Sequence, residues 1–206
     1  GSTTSKTPNV DKIYNNSSTL TQEQKKILEE TLVKMRKLKA YDLLLDALEA
    51  KNIKIKFQID PSISASANFD CKYNSISFVA TNAISVSLPE ELVHALQYNV
   101  LYGEAMAKGN TDYRFTMEWE ANIFVDAARI LQENYYYKTG YNTLTNASIE
   151  LREGHKALMT SILETGYFSQ TKHYEKFVEL SKSWTKHPGK YISGFLPKAL
   201  INYLKK

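Results

Sequence analysis

With 206 residues and a hydrophobic fraction of 43%, the chain is long enough to bury one substantial core, and no apolar run approaches the ~18 to 20 residues that cross a bilayer. Lys plus Arg number 26 against 22 Asp plus Glu, and these charges are scattered, so the net +4 builds no basic stripe and no nucleic-acid partner is expected, even with 14 tyrosines. The single cysteine, Cys71, excludes an intrachain disulfide framework and a multi-cysteine zinc site, leaving histidine and carboxylates as the metal ligands on offer.

The polar stretch Thr3 to Ser18 has the composition of a flexible tether. A tether is therefore expected over 1–18, of the kind that follows a removed export or lipoprotein signal, which would give an extracytoplasmic protein held to a membrane through an N-terminal lipid. Residues 19–206 are expected to form one domain, with a helical C-terminal portion from about 145.

Thr21 followed by Gln24 is a capping-box pair, and Ile27, Leu28, Leu32, Met35 and Leu38 recur at helical spacing. Helix is predicted from there to about Ala50. Ile53, Ile55, Phe57 and Ile59 then alternate with polar residues, as in a strand with one buried face, and stop at Pro61. Ala67 to Phe69 and Ser75 to Val79 flank a turn-like Asp70-Cys71-Lys72-Tyr73-Asn74, which predicts a hairpin. Helix resumes at Leu88, with Ser87 as cap and Pro89 in the first turn, and a loop holding Gly103, Gly109 and Asn110 follows. A longer helix is predicted from about Arg114 to Tyr136, and helices again over Ile149 to Leu163, Tyr174 to Trp184 and Phe195 to Leu204. The order indicates an α+β domain with a helical majority. The aromatic run Tyr135-Tyr136-Tyr137, Trp184 and the segment around Phe195 are expected to serve packing.

Two helices hold the candidate chemistry. On a wheel at about 100° per residue, Glu90, His94 and Gln97 fall within about 60° of one another, with Leu92, Ala95 and Leu96 opposite. Glu91 lies about 60° beyond His94, so two carboxylates and an imidazole can converge above one turn. The same residues also suit a plain helix start, where Glu90 completes a capping box with Ser87 and Glu91 favours the positive N-terminal end. On the following helix, Glu120 shares its wheel position with Met117, Phe124, Ala127 and Leu131, whereas Glu118 faces outward with Asn122 and Arg129. A carboxylate on an apolar side needs a partner. That partner is either His94, directly or through a metal, or an arginine, lysine or tyrosine in a structural pair.

The stretch Glu90-Glu91-Leu92-Val93-His94 resembles the His-Glu-x-x-His helix of the zincin metallopeptidases. Glu118-Trp119-Glu120-Ala121-Asn122-Ile123-Phe124 is similar to the Glu-x-Glu-Ala-Asn-x-Phe helix of the ImmA/IrrE-type zincins. That resemblance covers roughly residues 20 to 135, and the chain also resembles short exported zincins of gut Bacteroidetes. The resemblance implies Glu90, His94 and Glu120 as metal ligands, Glu91 as general base, and a cleft beside the small sheet that takes a peptide or protein. The departure is Glu90, which stands where the family has histidine. A Glu, His, Glu set is harder than His, His, Glu, so zinc loses preference to other divalent metals and catalysis is expected to be weak or absent. The expected function is a metallopeptidase with an altered metal site. Its alternative is a zincin-fold domain, metal-free or not, that binds a peptide, glycan or protein without catalysis. Of the remaining histidines, His155, His173 and His187, each stands alone in the sequence, and His155 is the first candidate to replace the missing ligand.

Overall fold

The computed structural model describes residues 10–107, 109–133 and 147–206. Residues 1–9 and the aromatic run Tyr135-Tyr136-Tyr137 lie outside the described residues. The element order is a 3₁₀ turn Val10–Lys12, α1 Gln22–Arg36, α2 Lys39–Ala50, β1 Lys56–Ile59, β2 Ala67–Asp70, β3 Ser75–Phe78, α3 Ala83–Leu96, a π-helical turn Gln97–Tyr102, α4 Glu104–Ala107, α5 Thr111–Glu133, α6 Ile149–Thr165, α7 Gln170–Ser181 and α8 Lys198–Tyr203. The protein is α+β, as the order of sequence patterns predicts.

The tether expected over 1–18 differs from the structure over its second half. Val10 and Ile13 are buried in the core, Asn15 N–H bonds the Ile55 carbonyl, and Tyr14 pairs with Ile55 in a parallel bridge. Two apolar side chains in an otherwise polar stretch suffice to dock it, and Tyr14 stacks on Phe57 at 5.8 Å.

Thr21 caps α1 in a full capping box, with its hydroxyl accepting from Gln24 N–H and the Gln24 side chain accepting from Thr21 N–H. Arg36, at the end of α1, forks to Asp42, Asp46 and Glu49 of α2 at 2.8, 2.8 and 2.6 Å and ties the two helices together. The sheet has the order β1-β3-β2, with β1 parallel and β2 antiparallel to the central β3. The predicted hairpin is present, turned at Asn74 with φ +48. All four residues of β3 are buried, so the sheet is covered, and β2 is left as an edge lying beside α3.

Helix α3 starts at Ala83, one turn before the predicted Leu88, because Ala83 and Ile84 are themselves buried. Ser87 therefore does not cap; its hydroxyl meets that of Ser66 beside β2 at 2.8 Å, and Pro89 sits inside the helix. Helix α5 packs against α2, α3, α4, α6 and α8. From Phe115 to Leu131 only Glu118 and Arg129 escape full burial, so this helix has no solvated face to oppose an apolar one. Trp119 anchors it to the C-terminal part, donating Nε1–H to the Phe177 carbonyl at 3.0 Å and packing on Trp184 at 5.1 Å.

Candidate metal centre

Helices α3 and α5 cross beside the edge strand β2, and the crossing opens into a cleft of about 660 Å³. Ala67 and Phe69 of β2 form one wall, Glu90, Glu91 and His94 of α3 the floor, and Arg114 and Glu118 of α5 with Lys186 and His187 the far side. Ligand atoms of Glu90, His94 and Glu118 all lie within 4.8 Å of one another, a cluster that could hold a metal ion. His94 Nε2 is 3.5 Å from Glu118 Oε2. Two donors at ~2.1 Å from one ion, at the tetrahedral angle, stand about 3.4 Å apart, so this spacing fits a shared divalent cation.

The second carboxylate of the cluster is Glu118, where the sequence reading selects Glu120. Glu120 is fully buried on the other side of Gln97 and its oxygens are occupied. Oε1 accepts from Gln97 Nε2 at 2.9 Å and Tyr102 O–H at 2.9 Å, and Oε2 accepts from Ala199 N–H at 3.1 Å, with Leu200 N–H adding to it. It thereby satisfies the free N–H groups at the start of α8. Of the arginine, lysine or tyrosine partners that a structural pair would use, Glu120 has a tyrosine, Tyr102. The wheel places Glu120 on the buried side and Glu118 outward, as observed; what it cannot show is that Gln97, Tyr102 and the start of α8 satisfy the buried carboxylate, while the half-buried one meets His94.

The π-helical turn is what builds the connection between the two carboxylates. Bonds from i to i+5 widen the helix, so Gln97 and Tyr102, five apart, both reach Glu120. Gln97 Nε2 also donates to the Met117 carbonyl at 3.0 Å. With its amide hydrogens spent on two acceptors, Gln97 presents Oε1 to His94 Nδ1 at 2.8 Å, and Nδ1 must carry the hydrogen. In the neutral imidazole the lone pair is then on Nε2, aimed at Glu118. This is the arrangement of metal-ligating histidines, whose second nitrogen donates to a fixed acceptor.

A lone pair facing carboxylates requires a cation between them, either a proton or a metal. Without metal the proton takes that place: burial opposes a charged His94, but Glu118, at hydrogen-bonding range, and then Glu91 and Glu90 raise its pKa to about 10. Burial would raise Glu118, yet His94, His187 and Arg114 together hold it at about 2. Glu90 is raised, chiefly by burial, and its Oε1 accepts from Asn122 Nδ2 at 3.4 Å. Burial, with Glu90 and Glu118 adding to it, pushes Glu91 up to about 7, although His94 and the Phe69 N–H pull it down.

The other histidines separate cleanly. His155 Nε2 meets Asp126 Oδ2 at 3.0 Å between α5 and α6, outside the cleft lining. His173 Nδ1 accepts from Ser169 N–H at 2.8 Å, so its Nε2 faces Ser161 Oγ as a donor and cannot serve as a base there. His187 lines the cleft, with Nε2 3.8 Å from Glu118 Oε2. No periodicity marks it, because it lies in an irregular segment, so sequence spacing carries no signal for it.

No family model matches the chain, and comparison with curated proteins and with solved structures finds no match. Its class is defined by its own geometry: an α+β domain whose cleft gathers Glu90, His94 and Glu118 around a point that could hold a metal ion.

Proposed function

We propose that this is a zincin-like, divalent-metal-dependent hydrolase that acts on peptide bonds at the cleft between β2 and the α3–α5 crossing. The observation that carries the reading is the convergence of the Glu90, His94 and Glu118 ligand atoms within 4.8 Å beside a buried Glu91. A divalent ion held there supplies Lewis acidity toward a peptide carbonyl and a water. Glu91, with a pKa of about 7, is matched to take a proton from water and return it to the leaving amine near neutral pH. In the antiparallel ladder Ser66 C=O faces β3 through Val79 N–H at 2.9 Å, so the polar groups of Ala67 and Phe69 point to the free edge. Phe69 N–H is taken by Glu91, which leaves Ala67 to pair with an extended peptide.

The test is metal content and cleavage of a peptide library, on protein purified without chelator or nickel resin. Near-stoichiometric zinc or manganese and cleavage lost in Glu91→Gln are expected; a protein that also refuses added metal overturns the reading. One observation favours a second reading, a cleft that binds peptide without catalysis. Glu90 replaces an imidazole, and His94 with Glu118 already forms a complete ion pair at 3.5 Å. In that case peptide binding persists in Glu91→Gln and no cleavage is seen in either protein.

A further inference from the structure

Arg114 and Lys186 stand on the far side of the cleft, both exposed, and among the described residues neither enters an ion pair or a hydrogen bond. Arg114 lies in the first turn of α5, one turn before Glu118, which puts it about 6 Å along the helix axis from the metal cluster. Lys186 belongs to the irregular segment 182–197, which is fastened to the same end of α5. Lys190 N–H donates to Asp112 Oδ1 and Ile192 N–H to Thr116 Oγ1, each at 3.0 Å. Between these points Gly189, at φ +106, passes so close to α5 that a Cβ there would lie 2.8 Å from the Thr111 carbonyl oxygen. Next to Lys186, the His187 ring packs on Trp184 at 5.3 Å. Both cations act on His187, while Arg114 also acts on Glu118 and Lys186 on Glu90, so the two charges share the cleft with the cluster.

The opposite wall carries no charge to meet them: from Ala65 to Phe69, and again at Cys71, the β2 side of the cleft is neutral. The carboxylates of the lining are Glu90, Glu91 and Glu118, and Glu90 and Glu118 are ligands of the proposed centre. A divalent ion on Glu90, neutral His94 and Glu118 cancels both of those charges and leaves Arg114 and Lys186 facing Glu91 alone. The loaded cleft then holds an uncompensated cation in a concave site, where the field is concentrated and where a guanidinium can fork onto a carboxylate. An extended peptide advances about 3.3 Å per residue, so the offset of about 6 Å between Arg114 and the cluster corresponds to about two residues. We propose that the cleft selects acidic peptides, Arg114 with Lys186 beside it receiving a carboxylate that lies about two residues from the peptide bond placed at the metal cluster. The proposal rests on reading the cleft as a metal-dependent peptide site. The carboxylate is an aspartate or glutamate side chain or the C-terminus of the peptide, which present the same group.

The experiment measures kcat/KM of the zinc-loaded full chain on matched peptides that carry Glu or Gln at each position in turn, with free or amidated C-termini. Cleavage about two residues from Glu, roughly 10–100-fold faster than in the Gln peptide, is expected. That ratio should shrink to within about threefold in Arg114→Gln and fall partway in Lys186→Gln. If the chain end is the group received, amidation lowers cleavage by the same factor while the Glu and Gln peptides are cleaved alike. A wild type indifferent to both carboxylates, or a preference undiminished in Arg114→Gln, overturns the inference and leaves the peptidase reading standing. Should the protein take up no zinc or cleave no peptide, the peptidase reading falls and fluorescence anisotropy with the same peptides decides the inference: binding about tenfold or more tighter with the carboxylate supports it, and equal affinities or no binding overturn it. Should Arg114→Gln fail to fold, the wild-type ratio and its decline from about 0.05 to 0.5 M salt decide alone.

Discussion

Gln97→Leu removes the amide that joins the metal cluster to the buried carboxylate behind it. Three contacts vanish: Nε2 to Glu120 at 2.9 Å, Nε2 to the Met117 carbonyl at 3.0 Å, and Oε1 to His94 Nδ1 at 2.8 Å. A hydrogen bond to a charged group contributes about 1.5–3 kcal/mol and a neutral one about 0.5–1.5 kcal/mol. Burial raises Glu120 to about 7, so its charge is only partly present and the lower figure applies. The sum is about 3 kcal/mol, and for a chain of this length each kcal/mol moves Tm by about 2–4 °C, so a fall of roughly 10 °C is expected by calorimetry. Leucine of similar volume opens no cavity, which isolates the polar effect. The same variant frees the His94 ring to rotate and should weaken zinc binding by roughly 10–100-fold. A lower Tm with unchanged zinc affinity would refute the claim that Gln97 orients His94; an unchanged Tm would refute the energetics of the buried network.

Glu91→Gln should lower peptide cleavage by about 10²–10⁴-fold, the usual contribution of a positioned base, while zinc affinity stays within the range of an outer-partner change. In the active protein, cleavage should rise with pH through an acid limb at or below about 7, because Glu91 must be ionised to accept the proton. Arg36→Met cuts the α1–α2 tie to Asp42, Asp46 and Glu49 and should cost about 1–2 kcal/mol, read as a lower urea midpoint, with zinc affinity unchanged.

The α+β order, the capping box at Thr21 and the hairpin over β2 and β3 are legible in the sequence because each follows from local physics: a side chain closing on its own backbone, or a period-two pattern broken by turn residues. So is the pairing of His94 with Gln97, one turn apart across the end of α3 and the start of the π-helical turn. What the sequence hides are consequences of tertiary enclosure. The wheel puts Glu120 inside and Glu118 outside, as observed, but which of them meets His94 depends on Gln97, Tyr102 and α8 satisfying the inner carboxylate, and a wheel contains no such information. The π-helical turn changes the angular step just where the network forms, so Tyr102 cannot be placed beside Gln97 at 100° per residue. His187 arrives through an irregular segment whose course is set by Asp112, Thr116 and the close approach at Gly189.

At the proposed centre a proton and a metal would compete for one nitrogen, and the metal-free and metal-loaded proteins are then expected to differ in pH dependence. In the metal-free protein His94 is raised from 6.5 to about 10, so its pairing with Glu118 contributes stability that is complete below about 6.5 and is lost as pH climbs toward 10. Glu91 and Glu120, raised from 4.5 to about 7, act in the same direction, because ionising a buried carboxylate costs the folded state between those values. Glu118 works at the other end: held at about 2, it contributes stability above 4.5 that is lost as pH falls through 2. Metal-free protein is therefore expected to be most stable near pH 4.5, to lose stability above it as Glu91 and Glu120 ionise, and to lose more above about 6.5 as His94 gives up its proton. Zinc must displace the His94 proton, so its affinity should rise about tenfold per pH unit up to neutrality and beyond, and the stabilisation by a fixed zinc concentration should grow with it. Thermal melts from pH 5 to 9 with chelator and with zinc should give two curves that diverge as pH rises. Parallel curves would show that zinc binds without displacing a proton, and His94 would then not be its ligand.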